Sequence, residues 1–197
     1  MLALSFTICP MPIFTALTKF KDKRRNYTKN RLIGDFLNTS FAVVDIGTGS
    51  GGFAKFLQRK GLEVTPVDVV DKSTYADLSA VLYDGKHLPF ETNSFDASLL
   101  ITVLHHCTNP EQVFEEAVRV SNSKIVVLED VYSNWLMKRL TWLMDSLVNL
   151  EFRGHPHSNK TETEWETLFR NHGLIVNKKI KTKVLLIFTQ VMYHLEK

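Results

Sequence analysis

From residue 41 onwards, short apolar runs alternate with stretches whose apolar residues recur at helical spacing. The apolar runs are typical of buried strands and predict five of them, at residues 41–46, 62–67, 81–83, 95–103 and 124–128. The clearest helical stretches are residues 53–60 and 110–120, each following one of these strands. Strands separated by helices in this way indicate a parallel sheet whose two faces are both covered.

The last third of the chain has a different pattern. Residues 135–150 are strongly apolar at helical spacing, and residues 161–170 predict another helix. Residues 174–181 and 183–194 predict two strands joined by a tight turn, which we expect to close the sheet as an antiparallel pair. Pro66 conflicts with its place inside a predicted strand, so we expect it at a strand end or at an irregularity.

Together these elements predict a doubly wound α/β fold. We expect a mostly parallel seven-stranded sheet with helices on both faces and a C-terminal antiparallel hairpin. The chain has 197 residues, the size of one large domain. We therefore divide it into an N-terminal extension, residues 1–20, and a single domain, residues 21–197. A secretory signal has basic residues before its apolar stretch, and the extension has none there. A targeting role of the extension stays open.

Composition narrows the class of protein. With 44% hydrophobic and 23% charged residues, the chain is an ordinary globular protein, which excludes wholesale disorder and collagen-like repeats. Its two cysteines are too few for a disulfide framework, so we expect a reducing compartment and a cytoplasmic location. No uninterrupted apolar run reaches the about 18 residues that a membrane helix needs.

The net charge of +3 is unevenly distributed. The first 60 residues and the last third are basic, and the segment between them is acidic. A basic run at residues 19–31 is either a solvated helix face or a surface that steers an anionic substrate or a nucleic acid. The mildly basic total does not by itself indicate nucleic-acid binding.

A glycine-rich loop, with the sequence DIGTGSGG at residues 45–52, follows the first strand and opens a helix. Glycines there permit positive φ and let a ligand approach the backbone beside the unpaired N–H groups of the helix. The pattern G-x-G-x-x-G from Gly47 to Gly52 indicates a dinucleotide, whereas G-x-G-x-G from Gly47 to Gly51 does not require one. Asp68, at the end of the second strand, suits ribose hydroxyls under either interpretation.

Further motifs follow the loop in a fixed order. Asp45 precedes the glycines, and Asp84 with Gly85 follows the third strand. The motifs LPF and NSFD, within residues 88–96, then lead into the fourth strand. This ordered set, over roughly residues 40–130, resembles the class I S-adenosylmethionine-dependent methyltransferases. Within that family it is similar to the small-molecule group typified by the quinone-biosynthesis methyltransferases.

The resemblance implies S-adenosyl-L-methionine as the cofactor and a one-step methyl transfer to a small acceptor, for which a lipophilic molecule is attractive. The donor is already activated, so the protein mainly aligns the nucleophile, the methyl group and the sulfur in a line. Neither a metal nor a catalytic triad is required. The resemblance assigns to the cofactor a set of residues at or after the carboxyl ends of the first four strands: Asp45, Gly47, Thr48, Gly49, Gly51, Asp68, Val69, Asp84, Gly85 and Thr102.

The resemblance leaves residues 131–172 as a helical substrate or lid segment. Its apolar stretch, residues 135–150, is a lid, a hydrophobic substrate pocket, a peripheral contact with a membrane surface, or a core or dimer helix. His105 is our candidate catalytic residue, as a general base, or it only shapes the pocket. Glu129 and Asp130 either orient a polar acceptor or cap the following helix.

The histidines do not predict a metal site. His155 and His157 precede the late helix, and His105, His106 and Cys107 follow the apolar part of the fourth strand. These two groups lack the paired spacing of metal ligands, so we expect no metal. A contact of His155 or His157 with the active site stays open.

Three other functions stay open. A nicotinamide-dependent oxidoreductase would use the same glycine loop, but it leaves Asp45 and Asp84 unexplained. A non-catalytic S-adenosylmethionine-binding partner protein would keep the pocket without methyl transfer. An RNA methyltransferase would use the basic run, but the fourth strand continues as LHH where base-amino methyltransferases have an Asn/Asp-Pro-Pro-aromatic motif. A small molecule, not a nucleic acid, is therefore the expected partner.

Overall fold

In the computed structural model, the described residues are Lys29, Ile33, 36–132, Arg139, 158–184 and 188–197. Several predictions concern residues outside this set: the N-terminal extension at 1–20, nearly all of the basic run at 19–31, nearly all of the apolar stretch at 135–150, and His155 and His157.

Seven strands form one mixed sheet. They are β1 Ala42–Ile46, β2 Glu63–Asp68, β3 Val81–Leu82, β4 Phe95–Ile101, β5 Ser121–Val131, β6 Ile175–Val184 and β7 Phe188–Glu196. Their order across the sheet is β3-β2-β1-β4-β5-β7-β6. The first five in that order are parallel, and β7 runs antiparallel to both β5 and β6. The predicted seven-stranded sheet with a C-terminal antiparallel hairpin is confirmed.

Three helices have described bounds: α1 Gly52–Gln58, α2 Pro110–Val120 and α3 Glu162–Asn171. Local capping explains where two of them begin. Asn109 accepts a hydrogen bond from Gln112 N–H at 3.3 Å, and Pro110 occupies the first turn of α2 without needing a donor. Before α3, Thr161 and Glu164 exchange hydrogen bonds as a capping box.

Successive residues of the central strands enter two separate hydrophobic clusters. Val127 of β5 belongs to a cluster that contains Phe114 of α2 and Phe169 of α3. Its neighbour Val126 belongs to another cluster, which contains Phe53 of α1. Because successive side chains of a strand point to opposite faces of a sheet, the strands are buried on both sides. This burial explains their nearly continuous apolar sequences.

Some predicted boundaries are wrong. The predicted fourth strand reached residue 103, but β4 ends at Ile101 because the backbone of Thr102 turns to a φ of +56°. The fifth strand is longer than predicted, because Ser121 pairs with β4 at one end, and Glu129, Asp130 and Val131 pair with β7 at the other. The hairpin turn was expected at Thr182, but β6 continues to Val184. Thr182 and its flanking lysines lie on the edge strand, where polar side chains reach solvent.

Pro66 lies inside β2 in regular register with β1, so the expectation of a strand end or an irregularity is wrong. The Asp68 carbonyl accepts a hydrogen bond from Tyr83 N–H on the β3 side. Alternate residues of a parallel strand face the same neighbour, so Pro66 also faces that side. The pairing with β3 begins at Val67, and the missing N–H of Pro66 therefore removes no ladder hydrogen bond.

The carboxyl ends of β1 to β5 meet at one edge of the sheet. The strand order changes direction between β1 and β4, and open α/β sheets form their ligand crevice outside such a switch point. Within the described residues, none of the helices is long and apolar enough to cross a membrane.

Candidate active site

The loop after β1 turns on three glycines with left-handed backbone. Gly47, Gly49 and Gly51 have φ angles of +74°, +57° and +72°. A Cβ on Gly47 would lie 2.2 Å from Val103 Cγ2 and 2.8 Å from Val103 Cβ, so packing as well as φ requires that glycine. A Cβ on Gly51 would lie 2.6 Å from Leu78 Cδ2, the end of a flexible side chain, so there the positive φ is the main requirement. A Cβ on Gly49 would meet no atom of the described residues within 4 Å. Among these residues, the α-carbon of Gly49 therefore faces open space.

The carboxylate of Asp68 holds this loop. Its Oδ2 accepts a hydrogen bond from Gly49 N–H at 2.8 Å, and its Oδ1 accepts one from Val69 N–H at 2.7 Å. The Val67 carbonyl accepts from Gly47 N–H at 2.8 Å. Thr48 N–H also donates to the Val67 carbonyl, at 3.1 Å, so three hydrogen bonds join the glycine loop to the end of β2. Each carboxylate oxygen of Asp68 has a second lone-pair direction, so it retains capacity for hydroxyl donors of a ligand.

Asp45 is a buried acid at the end of β1, with 3% of its surface exposed. Burial raises its pKa above the ordinary value, and the neighbouring charge of Asp68 adds to this effect. The hydroxyl of Thr48, which donates to Asp45 Oδ2 at 2.8 Å, and the charge of Lys29 oppose the shift of the pKa. Asp45 is therefore a carboxyl group that a nearby cation would stabilise in its ionised form.

Asp84 and Gly85 form the turn after β3. Asp84 Oδ1 accepts hydrogen bonds from His87 N–H at 2.7 Å and Lys86 N–H at 2.8 Å, and these bonds lower the pKa of Asp84. Gly85 has a φ of +77°, and its Cβ would lie 3.4 Å from Val69 Cγ1. The side chain of Val69 is 53% exposed beside this turn. The turn therefore adjoins an apolar surface next to Asp68.

An ion pair on α2 fixes the segment that follows this turn. Arg119 donates to both carboxylate oxygens of Glu116 and also to the carbonyls of Phe90 at 2.7 Å and Leu88 at 3.1 Å. Glu116 in turn accepts from Leu88 N–H at 2.7 Å. The sequence alone does not reveal this role. The only sequence signal was an acid and a base three residues apart on a helix, which more often face solvent.

The end of β4 has an unusual backbone conformation. Thr102 is a β-branched residue with a φ of +56°, which such residues rarely adopt. Its N–H donates to the Leu128 carbonyl at 2.7 Å, and its hydroxyl donates to the Ile101 carbonyl at 2.6 Å. A short 3-10 helix, Leu104–His106, follows. The sequence had indicated that His105 lies at the end of the fourth strand, but it lies in this short helix.

Glu129 of β5 holds this turn in place. The residue is completely buried, and its Oε1 accepts hydrogen bonds from Val103 N–H at 3.0 Å and Leu104 N–H at 2.7 Å. Its Oε2 is hydrogen-bonded to Nδ1 of His105, which is only 2% exposed. From the sequence, Glu129 was expected to orient an acceptor or to cap a helix, and its bonds to the end of β4 were not predicted. Asp130 lies next to it in β5, opposite Gln190.

Cys107 ends the short helix. Its thiol donates to the Val103 carbonyl at 3.3 Å. Burial raises the pKa of the thiol to about 12, with further contributions from the charges of Glu129 and Asp68. Ser158 closes the other side, since its N–H donates to the His105 carbonyl at 3.1 Å and its hydroxyl reaches the carbonyl of Leu104 at 3.0 Å. Hydrogen bonds within residues 103–107 and to Ser158 therefore hold this turn together.

The sheet edge thus gathers the residues that the sequence singled out. Direct hydrogen bonds link Asp45 to Thr48 and Asp68 to Gly49 and Val69. Within the part of the chain that the structure describes, no three His, Cys, Asp or Glu side chains are arranged to hold a metal ion.

Comparison with known proteins agrees with this arrangement. Residues 44–126 match the family model of a methyltransferase domain. The chain is 28% identical over 116 residues to a demethylmenaquinone methyltransferase of Paenarthrobacter aurescens, and this match covers 50% of the chain and 46% of the relative. It is 32% identical over 87 residues to an uncharacterized protein of Methanocaldococcus jannaschii, which covers 43% of the chain and 42% of that protein. These matches span less than half the length of the curated relatives.

Solved structures show the same fold. A protein of Pyrococcus horikoshii superposes with a TM-score of 0.70 at 20% identity, covering 88% of this chain and 90% of that one. The magnesium protoporphyrin IX methyltransferase of Synechocystis, solved with bound SAH, superposes with a TM-score of 0.65 at 15% identity, covering 90% and 86%.

Residues 44–126 thus match a methyltransferase domain, and the chain shares the fold of a solved methyltransferase. The class predicted from the motifs is confirmed, and S-adenosyl-L-methionine is the cofactor that the domain and its relatives support.

Proposed function

We propose that the protein transfers a methyl group from S-adenosyl-L-methionine to a small-molecule acceptor by direct in-line displacement. The observation that carries the proposal is the junction of Asp68 and Gly49, where a carboxylate with spare acceptor capacity adjoins a glycine that faces open space. The cofactor supplies a methyl group already activated by its positively charged sulfur, so the chain's task is to bind and orient.

The charges and shapes at the sheet edge suit this cofactor. Asp68 is the residue we propose for the ribose hydroxyls, because both of its oxygens retain lone pairs. Asp84, with the exposed side chain of Val69 beside it, is proposed for the adenine end, which offers an amino donor and an apolar face. Gly85 and Thr102 are assigned to the same pocket because they shape the backbone at two of the strand ends that border it.

Asp45 suits the amino-acid end of the cofactor. A buried carboxyl group with a raised pKa is destabilised as an anion, and an ammonium group of a ligand would offset that cost. Gly47 and Gly51 complete this side by shaping the loop, and Thr48 does so by donating to Asp45. We infer that binding the cofactor favours the ionised form of Asp45.

His105 is the residue we propose for the acceptor side. Its Nδ1 bonds to Glu129, which for a neutral imidazole places the proton on Nδ1 and the basic lone pair on Nε2. An acceptor that must lose a proton would then find a base at the end of β4, next to the cofactor loop. An acceptor that is already nucleophilic would use His105 only as part of the wall.

The acceptor class rests on the relatives. The names of a demethylmenaquinone and a magnesium protoporphyrin IX methyltransferase indicate small-molecule acceptors. We propose that residues 131–172 form the segment that selects the acceptor, within a single domain at 21–197, and that a lipophilic acceptor brings this segment close to a membrane surface. The free thiol of Cys107 supports a reducing, cytoplasmic location.

The doubly wound arrangement supports the same proposal. Two hydrophobic clusters, one with α1 and one with α2 and α3, favour helices on both faces of the sheet. Such a sheet directs the ends of its parallel strands, and the ligand they bind, to one edge.

Titration calorimetry of the purified chain with S-adenosylmethionine, S-adenosylhomocysteine and NADH tests the proposal. We expect binding of the first two and none of NADH, whereas binding of NADH alone would refute it. Incubation with methyl-labelled cofactor and fractionated cell extract then finds the acceptor. Tight cofactor binding with no labelled product in any fraction would leave a binding protein and not an enzyme.

A further inference from the structure

We propose that Glu129 is a positioning residue whose two carboxylate oxygens serve the two halves of the site separately. Oε1 fixes the turn against which the glycine loop packs, and Oε2 fixes the imidazole of His105. This inference rests on the proposed function and adds to it a division of labour within one buried side chain, which touches neither cofactor nor acceptor.

The path from Oε1 to the cofactor loop is short. Oε1 accepts the N–H groups of Val103 and Leu104, which sets the direction of the backbone where β4 ends. The side chain of Val103 then fills the space above Gly47 so closely that a Cβ there would lie 2.2 Å from Val103 Cγ2. The position of the glycine loop therefore depends on the turn, and the turn depends on Oε1.

The turn needs such a clamp because its backbone is strained. Thr102 has a φ of +56°, a conformation that persists in β-branched residues only when the surroundings enforce it. On one side, Thr102 N–H donates to the Leu128 carbonyl of β5. On the other, the next two N–H groups donate to Glu129, also on β5. The fifth strand thus holds the turn at both ends of the strained residue.

Oε2 has a different partner and a different effect. It bonds to Nδ1 of His105, and a carboxylate at that place requires the imidazole to carry a proton on Nδ1. Oε2 therefore selects the protonation pattern of the ring, and Oε1 selects the conformation of the backbone. A single carboxylate can do both because it accepts at each oxygen independently.

The variant Glu129→Gln separates the two functions. The two N–H donors at the Oε1 position require an acceptor, so the amide oxygen occupies that place and the amide NH₂ faces His105. The clamp on the turn is kept. The imidazole must now accept at Nδ1, which moves its proton to Nε2.

In contrast to Glu129→Gln, two further variants are expected to weaken cofactor binding. Glu129→Ala removes the clamp, and Val103→Ala keeps Glu129 but trims the contact with Gly47. The readouts are the affinity for S-adenosylhomocysteine, measured by calorimetry, and the ¹⁵N shifts of the His105 ring in histidine-labelled protein. Glu115→Gln, which alters an exposed carboxylate of α2, serves as the control for the affinity measurement.

Glu129→Gln is expected to bind S-adenosylhomocysteine within about threefold of the unaltered protein, and its spectrum should show the proton on Nε2. Glu129→Ala is expected to lose affinity by about tenfold or more, the effect of losing a hydrogen bond to a charged group. Val103→Ala should lose affinity while His105 keeps its proton on Nδ1. Glu115→Gln should bind as the unaltered protein does.

Three results would overturn the proposal: unaltered affinity in a folded Glu129→Ala variant, unaltered affinity in Val103→Ala, or a proton that stays on Nδ1 in Glu129→Gln. If Glu129→Ala does not fold, the other two variants still decide the two halves. If the unaltered protein binds no S-adenosylhomocysteine, the proposed function fails, and the imidazole spectrum still tests the role of Oε2.

Discussion

Two corners of the same sheet edge use carboxylates in opposite ways. In the glycine-loop corner, Asp45–Gly51 with Asp68, the acid at the end of β2 is partly exposed and Gly49 faces open space. In the β4–β5 corner, 102–107 with Glu129, the carboxylate is 0% exposed and every hydrogen bond noted above for it goes to the protein itself.

The difference separates binding groups from positioning groups. A residue that binds a ligand must keep lone pairs or space in reserve, which is why we propose Asp68 and Gly49 for this task. A buried residue that positions others must use its hydrogen-bonding capacity within the protein, because a buried carboxylate without hydrogen-bond partners would be costly. On this basis, altering the first corner should affect ligand affinity most directly, and altering the second should act through neighbours.

The largest effect is expected from Gly49→Val. The added side chain would occupy the open space beside the backbone, so cofactor binding should be lost. Gly173→Val is a matched control, because Gly173 also has positive φ and its Cβ would meet no described atom within 4 Å. Both variants carry a backbone strain of about 1–2 kcal/mol, so their melting temperatures should fall together. Calorimetry that finds equal affinities for the two variants would contradict the open-site assignment.

Asp68→Ala should weaken cofactor binding by about 10- to 100-fold, since it removes hydrogen bonds to a charged group while leaving the sheet intact. Asp84→Ala should have a smaller effect, because Asp84 Oδ1 already accepts two N–H groups of its own turn. Affinities measured side by side, with circular dichroism to check the fold, test this order. A larger loss in Asp84→Ala would reverse the roles of the two acids.

Asp45→Asn should stabilise the protein at neutral pH and weaken cofactor binding. The pKa of Asp45 is raised by burial above its ordinary value of 3.8, so its contribution to stability is fully present below that pH and is lost as the pH rises through the raised pKa. The melting temperature of the variant should therefore exceed that of the unaltered protein at pH 7, with the gain vanishing towards pH 4. A variant less stable at pH 7 would show that the ionised form of Asp45 is favourably bound.

The smallest response to treatment is expected at Cys107, whose thiol should react very slowly with an alkylating reagent. Its thiol has a pKa raised to about 12, so little thiolate exists at pH 8. Iodoacetamide should modify it at least about 100-fold more slowly than glutathione, as peptide mapping by mass spectrometry would show. Modification at the rate of a free thiol would mean that the β4–β5 corner opens readily in solution, and the contrast between the two corners would then be weaker.

The sequence predicted the first corner better than the second, for a physical reason. A local sequence pattern is enough to reveal a glycine-rich turn or an acid at a strand end. The glycine loop and Asp68 could therefore be predicted from the sequence. The bonds of Glu129 and of Arg119 join segments that lie far apart in the chain. No local pattern records such pairings, because they depend on the register between neighbouring strands and helices.

Strand boundaries failed for a related reason. The end of β4 was placed too late because Val103 is apolar and continues the strand pattern, while the positive φ of Thr102 is imposed by bonds to β5. The end of β6 was placed too early because its polar residues look like a turn. On an edge strand, solvent satisfies those side chains, and only the pairing with β7 defines the strand.

The place of Pro66 also bears on how the molecule behaves when it is concentrated. An exposed strand edge offers N–H and C=O groups to strands of other molecules, which is a route to aggregation. Among the described residues, β3 pairs with β2 only at Val67 and Asp68, so the first part of β2 has an edge that β3 does not cover. Pro66 presents no donor at that edge, and a strand arriving from a second molecule would find its ladder interrupted there. A residue that looks misplaced within a sheet thus protects the sheet where its last strand is too short to do so.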